Sequence, residues 1–150
     1  MAVSFIVSPT DAELIGQPEL RVIADTYAQE LGLPDLSVEL SLASPEEIRE
    51  LNLEYRQLDE PTDVLSFQLL SGLEELRSIP KEANLLLGSI IICPEKAAAY
   101  EETLPQLVHH GLLHLLGLDH EQDKQAWLEQ EGPLIAALAR NSLDIPGIPA

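Results

Sequence analysis

Basic residues are scarce. The 150-residue chain has 8 Lys and Arg against 26 Asp and Glu, a formal net charge of −18. A protein that grips nucleic acid by bulk electrostatics needs a dense basic face to displace counterions from phosphates. This chain cannot build one, so DNA is excluded as a partner and any RNA contact must be local. Cysteine is almost absent too. The lone Cys93 rules out an internal disulfide, and in the run Ile90-Ile91-Ile92-Cys93 it reads as a small buried hydrophobe. No basic residue precedes Arg21, so the N-terminus lacks the positive region of a secretory signal. The longest apolar stretch, Leu85 to Cys93, is broken by Gly88 and Ser89. It falls far short of the roughly 20 residues a membrane helix needs. The chain reads as soluble and cytoplasmic, with no membrane partner.

What is present is ordinary globular composition: 45% hydrophobic and 23% charged. A chain of this length buries roughly two-thirds of its unfolded surface. One domain over residues 1–150 is therefore expected, with 141–150 a loosely ordered tail. Val3 to Val7 reads as a short strand. Pro18 to Gly32 has helical apolar spacing closed by glycine. Leu36 to Leu42 alternates like a half-buried strand. Ser44-Pro45-Glu46-Glu47 is a capping-box start for a helix running to about Arg56. Asp63 to Phe67 and Leu85 to Cys93 read as strands, with a loop over Ser71 to Ala83. Helices follow from Pro94 to Tyr100 and from Leu104 to Leu116. A last helical region spans Glu121 to Arg140, interrupted at Gly132-Pro133. Within it Trp127, Leu128, Leu134, Ile135 and Leu138 read as a core stripe. Glu121, Asp123, Glu129 and Glu131 read as a solvated face. The expected fold class is α+β: one mixed sheet of about four strands packed with about five helices.

All four histidines fall between positions 109 and 120. On a helix, residues four apart lie about 40° apart around the axis, so His110 and His114 share a face and can pinch one ion. Gly117 can take positive φ, end the helix and turn the chain back, bringing His120 in as a third ligand. Three imidazoles with an open fourth position is the usual catalytic zinc arrangement. His109, about 100° around from His110, should miss the ion and lie on the surface or behind the ligands. The spacing also occurs in metzincin proteases, where a glutamate after the first histidine is the general base. Here that position is Gly111, so the metal frame is metzincin-like while the chemistry must differ.

The run His110-Gly111-Leu112-Leu113-His114-Leu115-Leu116-Gly117-Leu118-Asp119-His120 resembles the signature of the YbeY endoribonucleases, the rRNA maturation factors. A second block, Asn52-Leu53-Glu54-Tyr55-Arg56 followed by Pro61-Thr62-Asp63-Val64-Leu65-Ser66-Phe67, is similar to another block of that family, in the same order. Two departures stand out. Leu118 replaces a usual tyrosine, and Ser89 replaces a common aspartate in Leu87-Gly88-Ser89-Ile90.

The resemblance implies a metal-dependent, single-strand-preferring endoribonuclease acting in 16S rRNA maturation and ribosome quality control. It implies one zinc ion per chain on His110, His114 and His120. The implied partners are ribosomal RNA, small-subunit ribosomal proteins and an assembly GTPase. It also points to Arg56 as the catalytic arginine; on its own, Arg56 reads equally as a surface residue favoured by the helix dipole. Asp119 can orient a histidine or cap the turn. Asp63 can contact substrate or end a strand. Thr62, Ser66 and Phe67 can shape the groove or the core. No general base is assignable. The rival readings are a non-catalytic zinc-binding assembly factor and a zinc peptidase.

Overall fold

The computed structural model describes residues 3–8, 11, 18–69, 76, 78–80 and 85–146. Its elements run β1 (Val3–Val7), α1 (Pro18–Leu31), β2 (Leu36–Leu42), α2 (Pro45–Arg56), β3 (Val64–Gln68), β4 (Leu85–Ile92), α3 (Pro94–Ala99), α4 (Leu104–Leu115) and α5 (Lys124–Arg140). This is the expected α+β class: one four-stranded sheet with five helices. The strand order is β1-β2-β4-β3. β1, β2 and β4 run parallel and β3 is antiparallel to β4. Most of the expected Ser71–Ala83 loop lies outside the described residues.

Period-two patterning fixes each strand's faces. On β2, Leu36, Val38 and Leu40 are buried while Glu39 is exposed. The main core joins these residues to α1, α4 and α5 through Ile23, Tyr27, Val108, Leu112, Trp127 and Leu138. A smaller cluster on the other face packs Ile48 of α2 against Leu65 and Cys93, with Phe67 alongside. Leu65 and Phe67 therefore point toward α2. Val64, Ser66 and Gln68 alternate to the opposite face of the edge strand, and that face becomes one wall of the site.

Helix α2 begins as its sequence dictates. The Ser44 hydroxyl accepts from the Glu47 N–H at 3.1 Å, and the Glu47 carboxylate accepts from the Ser44 N–H at 3.1 Å. It ends at Gln57, which takes a left-handed φ of 60°. Buried Asn52 donates through Nδ2 to the Glu60 carbonyl at 2.9 Å. That bond ties the following loop to the helix and so fixes where Arg56 sits.

Two expectations for the last helix need correction. It is continuous through Pro133, not interrupted. Proline normally crowds the Cβ of the preceding residue, and here that residue is Gly132, which has none. Pro133 and Glu129 are both exposed, so the carbonyl that loses its helical partner faces water. The core stripe is also narrower than expected. Trp127, Leu134 and Leu138 are buried, but Leu128 is exposed. Beyond the helix, residues 141–146 form neither helix nor strand, yet Ile145 packs into the main core; residues 147–150 lie outside the described part. Among the described residues no helix is long and apolar enough to cross a membrane.

Candidate metal centre and its cleft

Helix α4 supplies His110 and His114 from one face. A capping box starts it: the Thr103 hydroxyl accepts from the Gln106 N–H at 3.2 Å, and the Gln106 side chain reciprocates. Gly117 then takes φ of 91°, the conformation glycine enters without a Cβ penalty, and the chain doubles back to present His120. One ligand nitrogen from each of the three histidines lies within 4.8 Å of the others. The Nε2 atoms of His110 and His114 are 3.1 Å apart. Two nitrogens bound to one tetrahedral zinc at about 2.0–2.1 Å lie roughly 3.3 Å apart, so the donor set fits such an ion.

The environment keeps the His110 and His114 rings in the form a metal needs. Burial, then the neighbouring histidines, pushes His110 down to about 4. Burial also lowers His114, partly offset by the Asp119 carboxylate. Neutral imidazole is the ligating species, and it is the species present at neutral pH.

The histidines open onto a cleft of about 550 Å³. Arg56, Asp63, Ser66 and Asp119 all line it, together with Thr62 and Leu118. Arg56 makes no ion pair among the described residues, whereas Arg21, Arg49 and Arg140 pair with Asp25, Asp59 and Glu30. Asp63 Oδ1 accepts from the Val64 N–H at 2.8 Å and the Thr62 hydroxyl at 3.1 Å. Asp119 caps its turn, accepting from the Glu121 N–H at 2.9 Å; it hydrogen-bonds none of the histidines. Phe67 faces away from the cleft, toward α2. Ser89 is outside the cleft as well. It donates across the sheet to Glu39 at 3.0 Å, so its hydroxyl serves strand pairing.

Gly111 has a packing cause. A Cβ there would meet Ile90 Cδ1 at 2.9 Å and Cγ1 and Cγ2 at 3.1 Å. α4 lies directly on β4 at this point, leaving no room for the glutamate of a metalloprotease. Gly111→Ala should destabilise the protein by about 1–3 kcal/mol through overpacking, measurable by urea denaturation. Pairing it with Ile90→Val should recover part of the loss; a simple additive decline would show that Ile90 is not the obstacle.

His109 misses the cluster, as the helical geometry requires, but it is not on the surface. It is buried, with Nδ1 2.6 Å from the Tyr27 hydroxyl and Nε2 3.0 Å from Glu131 Oε2. Burial and the Glu131 charge raise the Tyr27 pKa, so the phenol keeps its proton, and the same hydroxyl also donates to the His109 carbonyl at 3.2 Å. The chain of bonds staples α1, α4 and α5 behind the site. Glu131 is therefore buried, not on a solvated face. Its position four after Trp127 and three before Leu134 places it on the apolar stripe, a signal present in the sequence.

Two further residues escaped sequence reasoning. Trp127 is core, as expected, but its ring also packs against all three histidines, with centroids at 4.9, 5.1 and 5.1 Å from His110, His114 and His120. Glu102 lies beside Asp63 in a pocket that His110 and His120 also line. Burial, then the hydrogen bond and charge of Asp63, pushes Glu102 up to about 7. Nothing local marks Glu102, since its partner Asp63 lies 39 positions away, just before β3.

His110 and Glu102 give the metal-free protein opposed pH dependences. Between pH 6.5 and about 4 the unfolded chain protonates His110 while the folded one does not, so stability falls with acidification. Glu102 favours its neutral form in the fold, so its contribution is complete below pH 4.5 and is lost as pH rises to about 7. Glu102→Gln should therefore steepen the acid-side fall in melting temperature. Parallel wild-type and variant profiles in the presence of a chelator would contradict this.

Comparison with known proteins agrees with the site. A family profile described as Endoribonuclease YbeY matches residues 13–132. A protein of that name from Halalkalibacterium halodurans is 44% identical over 110 residues, covering 65% of this chain and 69% of that protein. Another from Dehalococcoides mccartyi is 36% identical over 137 residues, covering 81% and 80%. The solution structure of TM1509 from Thermotoga maritima is 26% identical, with a TM-score of 0.53 over 99% of this chain and 98% of that one. With its three-histidine turn, its Thr-Asp-Val-Leu-Ser-Phe strand and a profile match over most of its length, the chain belongs to the Endoribonuclease YbeY family.

Proposed function

We propose that this protein is a zinc-dependent endoribonuclease that cleaves single-stranded RNA in the cytoplasm, during 16S rRNA maturation and ribosome quality control. The observation that carries the reading is one cleft lined by the three histidines and by Arg56, a guanidinium without an ion-pair partner among the described residues. His110, His114 and His120 would hold the ion. When bound there, zinc supplies a Lewis acid that lowers the pKa of water toward neutrality or polarises a phosphoryl oxygen. The remaining work falls to side chains. Phosphodiester cleavage builds negative charge on the non-bridging oxygens, and the Arg56 guanidinium meets it with paired N–H donors. The Ser66 hydroxyl on the cleft wall offers the substrate a hydrogen-bond partner. Asp63, held by the Val64 N–H and the Thr62 hydroxyl and paired with Glu102, shapes the wall beside it.

The overall charge of −18 sharpens the prediction for binding. Affinity for free RNA should be weak and fall steeply with salt. Selection of the RNA then rests on docking to small-subunit ribosomal proteins and an assembly GTPase. A zinc peptidase is disfavoured because Ile90 fills the space its general base would need. The deciding experiment combines metal analysis of the purified protein with cleavage of matched single-stranded and duplex RNA, before and after chelation. Stoichiometric zinc and chelator-sensitive cleavage of the single strand support the reading. Zinc without cleavage would indicate an assembly factor, and cleavage of casein but not RNA a peptidase.

A further inference from the structure

At the end of α2, beside the cleft, Tyr55 is 57% exposed although it is a large aromatic side chain. Its ring is not loose. It meets Phe67 edge-on, with centroids 5.0 Å apart and planes at 66°. Its hydroxyl has no hydrogen-bond partner among the described residues. The pair sits one residue from the cleft on two separate elements. On α2 the next residue is Arg56. On β3, Phe67 lies between Ser66 and Gln68, which line the cleft. Phe67 itself points to the opposite face of β3, which is an edge strand of the sheet. A chain leaving the cleft has only to cross that edge to reach Tyr55.

We propose that Tyr55, braced by Phe67, is a stacking platform for an unpaired nucleobase next to the phosphate engaged by Arg56. This rests on the ribonuclease reading and deepens it by naming what the site selects. A fixed aromatic ring beside an unpaired guanidinium matches the two chemistries of a single strand, the π-face of a base and the anionic backbone. The occupant is a nucleotide because the chain neighbours of both rings, Arg56 after Tyr55 and Ser66 and Gln68 around Phe67, line the phosphate-binding cleft. A base inside a duplex keeps both faces covered by its neighbours, and its backbone cannot splay it across the strand edge. Preference for single strands is then built into the rim of the cleft.

The test uses the zinc-loaded protein and a short single-stranded oligoribonucleotide carrying 2-aminopurine, at low salt. Wild-type protein should quench the probe on binding. Tyr55→Ala should lose the quenching and bind about 5- to 150-fold more weakly, the range expected for one base–aromatic stack. Tyr55→Phe should retain both. In cleavage assays the Tyr55→Ala defect should appear in KM with kcat little changed. An oligonucleotide lacking the stacked base should bind wild type and Tyr55→Ala equally. Melting curves of the variants control for folding. If Tyr55→Ala binds and quenches like wild type, the platform is overturned and the patch is left to a protein partner. If the zinc-loaded wild-type protein neither binds nor cleaves either oligonucleotide at low salt, the ribonuclease reading falls as well.

Discussion

His114→Ala should lose zinc and RNA cleavage together while the fold survives. His114 lies at the last turn of α4, with its Nε2 3.1 Å from that of His110. Its removal leaves two imidazoles, and two neutral nitrogens no longer close a tetrahedral site. Disturbing a residue that merely supports a metal ligand costs 10–100-fold in affinity; deleting a ligand should cost more. The variant should emerge from purification with substoichiometric zinc and cleave RNA at least about 10³-fold more slowly, given what metal activation contributes. Structural damage should be limited. Only part of the ring is buried, and the Tyr27–His109–Glu131 staple that anchors α4 to α1 and α5 is untouched. Circular dichroism should be unchanged and melting should remain cooperative. A variant that keeps stoichiometric zinc and the wild-type rate would dismantle the metal assignment. Contaminating ribonuclease would mimic that result, so His114→Ala and wild type must be purified in parallel.

The parts of the site legible in the sequence are those whose cause is local. Helical spacing joins His110 to His114, and a glycine able to take positive φ returns His120. The Ser44–Glu47 capping box starts α2 from four adjacent residues. The β2 alternation declares its buried face without knowledge of its neighbours. Illegible features depend on residues far apart in the chain. His109 is 82 positions from Tyr27 and 22 from Glu131, so no window around His109 reveals that it is buried and satisfied. Trp127 was readable as core, but its contact with three histidines follows from how α5 crosses α4. Glu102 acquires its shifted pKa from burial and from Asp63, 39 positions away. Pro133 misled for another reason. A helical proline costs a hydrogen bond and crowds both the carbonyl one turn back and the Cβ of the preceding residue; here the preceding residue is Gly132 and the turn is solvent-exposed, which lowers that cost.

Arg56→Ala should retain the zinc and lose the chemistry, which separates it cleanly from the histidine variant. The guanidinium lines the same cleft as the three histidines but belongs to α2, across the cleft from α4. It can therefore be removed without disturbing the ligands. Because Arg56 has no ion pair among the described residues, truncation leaves no carboxylate stranded, and stability should change by less than about 0.5 kcal/mol. Catalysis should suffer far more. Loss of one preorganised donor to a developing oxyanion costs about 10²–10³ in kcat, and a bidentate cation should fall at the upper end. Arg56→Lys gives a finer reading. It preserves the charge but not the planar fork, so a point-charge role would leave most of the rate, whereas paired donation to two phosphoryl oxygens would not. The expected order is wild type, then Lys, then Ala, with zinc content equal in all three. Should Arg56→Ala cleave RNA at the wild-type rate, the guanidinium is a surface residue favoured by the helix dipole. The transition-state charge would then have to be met elsewhere in the cleft.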